Sequence, residues 1–419
     1  MSEQKRAPGK DRGVLAKIFF PSVSVRFAIA ILLTFFPLAF MYPLQYPGSE
    51  LITLSCWIWV FPSVIGFLSF AAGILIPTEA YGYYAFNVFS VAACLAIAKT
   101  ACDSKEWKIA DLVKMHKFTR ACMLVTLAIA ALQVTTDQNA WMSTFADMKL
   151  EPWRAAGLRS EPSQIGSVLG FYLLVLVARM KTVHRGESVK GLHKKLLAEG
   201  LVTMLATIAL TRSITVLIVA ACFLSVLFTV KRRHLKIAVV AALAVLGSVW
   251  VALGDRIQDA VASSGGSLTE FMTTGLNSWR NVPDIVILTS PLDFMAPGRP
   301  GEVRLGIHDH AVLISPLMGW IQNTFTSFSA SSAALGLVVT GCLILGGLYL
   351  GMRKLSSAPA MTKVAWFMAY VSAWFIMAKW DPTMWVVLGM LPLAHRLAAE
   401  RSSLSKPNSI VERRFLTAN

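Results

Sequence analysis

The feature that most constrains this chain is a nearly continuous apolar stretch from Leu196 to Val230. About 20 residues cross the hydrocarbon core of a bilayer as a helix, so this stretch is too long for one span and allows two short ones. Thr211, Arg212 and Ser213 interrupt it near the middle, and basic residues flank both of its ends. The positive-inside rule places those flanks in the cytoplasm. We therefore expect a hairpin whose tip carries Arg212 on the outer side.

Composition places the whole chain in a membrane. The 419 residues are 55% hydrophobic and only 15% charged, whereas soluble domains are about 25% charged. We predict an all-α, polytopic integral membrane protein of about 12 transmembrane helices with one large periplasmic loop. The net charge of +16 lies mainly in short loops between apolar runs and in the tails, which is an orientation signal. No nucleic-acid partner is expected, and the six cysteines show no spacing typical of disulfides or zinc.

Apolar runs and loop charges predict the order of segments along the chain. The apolar run Leu51 to Ile76 is expected to form two short spans around Pro62, and Lys99 to Arg120 is expected to form a cytoplasmic loop. The longest hydrophilic segment has seven acids, four arginines and no lysine, which is typical of an outer loop. The predicted regions are a cytoplasmic N-terminal tail (1–26), a transmembrane bundle with the Arg212 hairpin (27–253), a periplasmic loop (254–310), C-terminal transmembrane helices (311–396) and a cytoplasmic tail (397–419).

Polar residues collect on the predicted outer side. They are Arg212, the pair Trp279-Arg280, the segment His308-Asp309-His310 at the end of the large loop, and Glu161 before Pro162. Guanidinium groups bind phosphate oxygens in pairs and stay charged. An imidazole has a pKa near ambient pH and can accept a proton. The residue types therefore favour chemistry on an anionic substrate at the outer surface.

These motifs, in this order, resemble the O-antigen ligase/polymerase family of bacterial surface-polysaccharide enzymes. The resemblance comes from the hairpin Leu210-Thr211-Arg212-Ser213, from a long loop with Arg280 beside Trp279, and from a histidine that ends this loop. The Glu161-Pro162-Ser163 element is similar to one in the polymerases and favours polymerase over ligase. Asp309 follows His308 and Ala311 follows His310, where the family histidine is commonly followed by asparagine, so both histidines stay candidates.

The resemblance implies glycosyl transfer at the periplasmic face of the bacterial inner membrane. The donor would be a saccharide on undecaprenyl diphosphate, and the acceptor a second lipid-linked repeat unit (polymerase) or lipid A-core (ligase). Arg212 and Arg280 would bind the diphosphate, and His310, Glu161 or His308 would act as the base. Arg154, Arg159 and Trp279 are candidates for glycan binding. No metal cofactor is expected, and a chain-length regulator and a flippase are the implied partners.

Each candidate also has a structural alternative. Arg212 can anchor at lipid headgroups, Arg280 can pair with Asp284, Glu161 can favour a helix start, and His308 with His310 can bind a metal. Glu199 is expected to pair with Lys195, and Asp381 to stabilise a turn. The rival function is a lipid-linked oligosaccharide transporter. Transporters place polar residues at the bilayer midplane, whereas the polar groups here gather on one side.

Overall fold

The computed structural model describes part of the chain in atomic detail. The described residues are 22–36, 48–75, 83–136, 155, 157, 162–181, 187–211, 216, 219–220, 247, 282–296, 306–307, 309, 326–375 and 381–404.

These residues are almost entirely helical, because 88% of them lie in helices and none in a strand. This confirms the all-α prediction. The helices are α1 (Val23–Phe35), α2 (Gly48–Val60), α3 (Val64–Leu75), α4 (Tyr83–Asp103), α5 (Ile109–Thr135), α6 (Pro162–Lys181), α7 (Glu187–Thr211), α8 (Val282–Thr289), α9 (Ser327–Leu335), α10 (Leu337–Lys354), α11 (Ala360–Phe375) and α12 (Thr383–Leu404). A 3₁₀ turn, Pro291–Phe294, follows α8.

The centre of the described bundle is formed by α4, α6 and α12. Helix α12 packs along both α4 and α6, while α3 and α9 cover other faces of α4. The contact between α4 and α12 is close because Gly389 lies against the Ala98 carbonyl and the Ala101 methyl group. The rings of Trp374 and Trp385 pack edge to face with their centroids 5.3 Å apart, and they fill the space between α11 and α12. Small residues at one crossing and tryptophans at another therefore hold the last described helix in the core.

The helices α2 and α3 are separated at Phe61–Ser63, so the predicted break at Pro62 is confirmed. A proline removes a backbone donor and clashes with the preceding turn, which explains the break. The two helices have 13 and 12 residues, fewer than the roughly 20 that cross a bilayer. Whether each one crosses the membrane stays a prediction.

The expected cytoplasmic loop from Lys99 to Arg120 is mostly helix. Helix α4 continues to Asp103 and α5 begins at Ile109. The start of α5 is capped by Asp111, whose carboxylate accepts the Lys108 backbone N–H at 3.0 Å. Lysines signal the side of the membrane on which a segment lies, but they are also good helix formers. The lysines between Lys99 and Arg120 therefore do not show where α4 ends and α5 begins.

Arg26, expected at the end of a cytoplasmic tail, instead lies inside α1 and is buried. Its guanidinium donates to Glu106 Oε2 at 3.1 Å and to the Trp59 carbonyl oxygen at 2.9 Å. The pairing lets a charged group lie within the bundle, because a buried charge needs a partner. Arg26 therefore ties α1 to the end of α2 and to the α4–α5 connection.

Two described helices, α5 and α10, are long and apolar enough to cross a membrane. The helix α1 and the part of α6 from Ile165 to Met180 are apolar but shorter. Large apolar side chains are exposed on α3 and α10, as a lipid-facing surface requires. They include Val64, Ile65, Phe67, Leu68, Leu345, Tyr349 and Leu350.

The glycine at the α4–α12 crossing gives a test of this packing. We expect Gly389→Ala to destabilise the protein by about 1–3 kcal/mol, because the added methyl group overpacks the contact. Such a Cβ would meet the backbone of α4, including Cys102 N at 3.1 Å. The measurement is thermal unfolding in detergent. Gly346→Ala on α10 is the matched control, since nothing lies within 4 Å of a Cβ there. Equal stability of the two variants would contradict the close crossing.

Candidate functional site

The residues predicted to carry the chemistry lie outside the described part of the chain. The structure does, however, describe several of their sequence neighbours, and these indicate which segments meet. The predicted site residues outside the described ranges are Arg154, Arg159, Glu161, Arg212, Trp279, Arg280, His308 and His310.

A polar clamp holds Gly157, in the predicted first outer loop, against α5. The buried side chain of Gln133, near the end of α5, makes two hydrogen bonds to the backbone of Gly157. Its amide nitrogen donates to the Gly157 carbonyl at 2.8 Å, and its carbonyl oxygen accepts the Gly157 N–H at 2.8 Å. Gly157 has φ +63°, a left-handed conformation that glycine adopts easily. Gln133 therefore satisfies both backbone groups of a residue in a tight turn.

The same segment also reaches the end of α7. The backbone N–H of Ala155, the residue after Arg154, donates to the Leu210 carbonyl oxygen at 3.0 Å. Leu210 precedes Arg212 by two positions, and α7 ends at Thr211. This helix end confirms that the first arm of the predicted hairpin is helical up to the residue before Arg212. The described backbone therefore brings a neighbour of Arg154, a candidate for glycan binding, close to the segment that leads to Arg212, the predicted diphosphate-binding residue.

The start of α6 lies at the same end of the bundle. Helix α6 begins at Pro162, immediately after Glu161, and proline suits the first position of a helix because its missing N–H is not needed there. A Cβ at Gly157 would lie 3.6 Å from Ile165 Cδ1, in the first turn of α6, and 3.3 Å from Thr126 Cγ2 on α5. Segments that lead to Arg154, Glu161 and Arg212 in the sequence thus converge on Gly157.

We expect removal of the clamp to increase the local motion of the backbone around Gly157. We expect Gln133→Ala to lower stability by about 1–3 kcal/mol, because two buried backbone groups lose their partners. Amide hydrogen exchange at Ala155 and Gly157 should become faster than in the wild type. Thr135→Ala is the control on the same helix, since the exposed Thr135 hydroxyl donates only to α5 carbonyls. Unchanged exchange in Gln133→Ala would show that the clamp does not hold the segment.

The described part of the large loop contains a buried carboxyl group. Asp284, in the first turn of α8, is 6% exposed, and its Oδ1 accepts the Thr326 hydroxyl at 2.6 Å. Burial raises the pKa of Asp284 to about 7, although hydrogen bonds from Thr326 and Ser329 act in the opposite direction. Thr326 also caps α9, because its Oγ1 accepts the Ser329 N–H at 3.1 Å. Asp284 therefore fastens α8 to the start of α9.

The end of the large loop packs beside the same unit. Ile307, which precedes His308, is completely buried, and a Cβ at Gly306 would lie 3.8 Å from Phe294 Cζ. Gly336 follows α9 with φ +81°, and a Cβ there would lie 2.6 Å from the Met295 carbonyl oxygen. The described parts of the loop are thus packed onto α9 rather than extended away from the bundle.

A second polar cluster surrounds Glu199 on α7. Its carboxylate accepts the Tyr172 hydroxyl at 2.7 Å, lies 3.6 Å from Arg120 NH1 and lies 3.2 Å from His116 Nε2. The expected pairing with Lys195 is wrong, since these three residues are its ion-pair and hydrogen-bond partners in the described part of the chain. Lys195 lies one helical turn earlier, but α5 and α6 present better placed groups.

Other predictions for polar residues have mixed outcomes. Asp381 is confirmed as a turn residue, because its Oδ1 accepts the Thr383 N–H at the start of α12 at 2.9 Å. The alternative pairing of Arg280 with Asp284 stays a prediction. Among the described residues no three His, Cys, Asp or Glu side chains form a group that could hold a metal. His308 and His310 are not among these residues.

The buried polar residues that the sequence did not single out as candidates are Gln133, Asp284 and His116. Each is a polar side chain that the fold buries: Gln133 is 2% exposed and His116 is 4% exposed. Gln133 interrupts an apolar helical run, and this interruption is the signal that could have identified it. The partners of Asp284 and His116 are 42 and 83 positions away, so the sequence alone did not pair them.

Comparison of the chain with models of protein families, with curated proteins and with solved structures found no match.

Proposed function

We propose that this chain is a membrane glycosyltransferase that transfers a saccharide from undecaprenyl diphosphate to a growing lipid-linked polysaccharide at the periplasmic face. The observation that carries the proposal is the hydrogen bond from Ala155 to Leu210, supported by the Gln133–Gly157 clamp. These contacts join the segment that leads to Arg154, proposed to bind glycan, with the segment that leads to Arg212, proposed to bind the diphosphate. Transfer of a saccharide requires that the groups that bind the glycan and the diphosphate lie close together.

The proposed reaction is a displacement at the anomeric carbon of the donor. The acceptor hydroxyl oxygen forms the new glycosidic bond as the bond from that carbon to the diphosphate oxygen breaks. The hydroxyl proton goes to His310, with Glu161 and His308 as alternative bases. Arg212 and Arg280 stabilise the charge that grows on the leaving diphosphate. The products are the extended glycan and free undecaprenyl diphosphate.

Asp284 has a positioning role in this proposal. It follows Arg280 by four positions and fixes α8 to α9 through Thr326. Asp284 is buried, and the Thr326 hydroxyl donates to it, so the contact between α8 and α9 is formed by the carboxyl and hydroxyl groups themselves. The anchored α8 would limit the movement of the loop segment that contains Arg280, and a fixed cation is more effective at stabilising a transition state.

The proposed arrangement in the membrane follows from loop charge. Both tails lie in the cytoplasm of a bacterial inner membrane, and the clamp and the large loop lie on the periplasmic side. About 12 spans are proposed, and among the described helices α5 and α10 have the length and hydropathy expected of a span.

The function is tested with purified full-length protein in liposomes and an undecaprenyl-diphosphate-linked oligosaccharide, without nucleotide sugar. A ladder of polymers on a gel supports the polymerase proposal. Transfer only after lipid A-core is added identifies a ligase instead. Donor that crosses the liposome membrane without any transfer identifies a transporter. The ladder should form in the presence of EDTA. If EDTA abolished the ladder and one divalent metal restored it, that result would favour the His308–His310 metal site.

A further inference from the structure

A cavity lies between α5 and α7 and beside α6, toward the predicted cytoplasmic side of the described bundle. Its volume is about 410 Å³, and its lining includes Arg120, Lys195, Glu199, Leu124 and Val202. We propose that this cavity binds the phosphate headgroup of an anionic phospholipid, with an acyl chain along the exposed apolar side chains beside it.

The depth of the cavity agrees with a headgroup on the cytoplasmic side. Arg120 precedes Gln133 by 13 positions on α5, which corresponds to about 20 Å along a helix. Lys195 precedes Thr211 by 16 positions on α7, or about 24 Å. The hydrocarbon core of a bilayer is about 30 Å thick. When Gln133 and Thr211 are at the outer boundary, the Cα atoms of Arg120 and Lys195 therefore lie about 6–10 Å short of the inner boundary. Long basic side chains can extend over such a distance toward the membrane surface.

The charges around the cavity favour an anion. Its acidic group, Glu199, already interacts with Arg120, His116 and Tyr172. Lys195 is exposed and has no acidic partner within ion-pair distance among the described residues. The cavity lining therefore has two cations and one paired acid, with a net positive charge. Arg120 can contact a phosphate group while it interacts with Glu199, because a guanidinium group has five hydrogen-bond donors.

The apolar part of the lining continues from the cations toward the bilayer centre. Leu124 follows Arg120 by one helical turn, and Val202 follows Glu199 by three positions, so each pair lies on one face of its helix. Leu124 is 56% exposed and Val202 is 67% exposed, so neither is covered by another described part of the protein. Cations at the inner end and exposed apolar side chains further along match the order of groups in a phospholipid. Basic pockets between membrane helices on the cytoplasmic side suit anionic headgroups.

The proposal is tested by the lipid that stays bound to purified full-length protein. Native mass spectrometry in neutral detergent should show that phosphatidylglycerol is retained in preference to phosphatidylcholine with the same acyl chains. The double variant Arg120→Ala/Lys195→Ala should bind phosphatidylglycerol about 30-fold more weakly, since each cation near the surface contributes about 1 kcal/mol. The matched control is Lys117→Ala/Lys194→Ala, which removes the same charge from the same helices outside the cavity lining. Equal losses in the two double variants would overturn the proposal.

A single substitution keeps the test informative if loss of Arg120 disturbs folding through Glu199. Lys195→Ala leaves the Glu199 cluster intact and should weaken phosphatidylglycerol binding about 5-fold. A folded Lys195→Ala protein with unchanged lipid preference would overturn the proposal.

A further comparison separates a lipid headgroup from a free anion. Phosphatidylglycerol should raise the thermal stability of the wild type, whereas millimolar inorganic phosphate in lipid-free detergent should not. Val202→Asn should reduce the effect of the lipid, because it makes the apolar part of the site polar. Equal stabilisation by inorganic phosphate would identify a soluble-anion site instead of a lipid site. No polyprenyl donor is present in these assays, so their outcome does not depend on the proposed function.

Discussion

Arg212→Ala is expected to lower polymer formation by at least about 100-fold, which is the scale of losing one strong donor to a transition-state oxyanion. In the proposed reaction the leaving diphosphate gains charge, and a guanidinium at the end of α7 stabilises it. Arg212→Lys should also be poor, because an ammonium keeps the charge but loses the paired geometry. The measurement is the polymer ladder from the reconstituted protein.

A control on the predicted cytoplasmic side separates this effect from a change in net charge. Arg353→Ala removes an exposed arginine from the last turn of α10, and it should leave the ladder unchanged. Thermal unfolding of Arg212→Ala should match that of the wild type, because substitution of a substrate-binding residue lowers the activity of the protein rather than its stability. A normal ladder in Arg212→Ala would exclude the proposed role in diphosphate binding.

Asp284→Asn is expected to change how stability depends on pH. Burial raises the pKa of Asp284 from 3.8 to about 7 in the folded protein, so the folded state binds more protons than the unfolded state between these values. The contribution of Asp284 to stability should therefore be fully present below about pH 4 and should be lost as the pH rises to about 7. A pKa difference of about 3 corresponds to a loss on the order of 4 kcal/mol over this range. The neutral asparagine keeps an acceptor for Thr326 and should remove that loss.

The measurement is unfolding of the wild type and the variant at several values between pH 4 and pH 7.5. The difference between their stabilities should grow in favour of Asp284→Asn as the pH rises. Asp293→Asn changes an exposed carboxyl group in the neighbouring 3₁₀ turn and should reproduce the wild-type pH dependence. Parallel curves for the wild type and Asp284→Asn would show that the buried carboxyl group does not control this dependence.

Structural features that depend on neighbouring residues could be predicted from the sequence. Pro62 marked the break between α2 and α3, and Asp381 marked a turn. Each of these depends on the chemistry of neighbouring residues: a missing backbone donor, or a side chain that accepts a nearby N–H.

Contacts between segments that are distant in the sequence could not be predicted from it. The partner of Gln133 is 24 positions away, and that of Asp284 is 42 positions away. Glu199 was assigned to Lys195 because helical spacing suggests such a pair, but tertiary packing gave it partners on α5 and α6. Charge also failed to locate the ends of α4 and α5, because lysines favour helix as well as cytoplasmic orientation. The predicted catalytic residues themselves stay predictions.

The place of α12 has a consequence for biosynthesis. Its Gly389 completes the close contact with Ala98 and Ala101 on α4, but it follows the end of α4 by about 280 residues. At translation rates of 5–20 residues per second, α4 waits roughly 15–60 s for this neighbour. During that time its small-residue face lacks the cover that α12 later gives it. Final assembly of the centre is therefore late, and a ribosome that stalls before α12 would leave a bundle without its central contact.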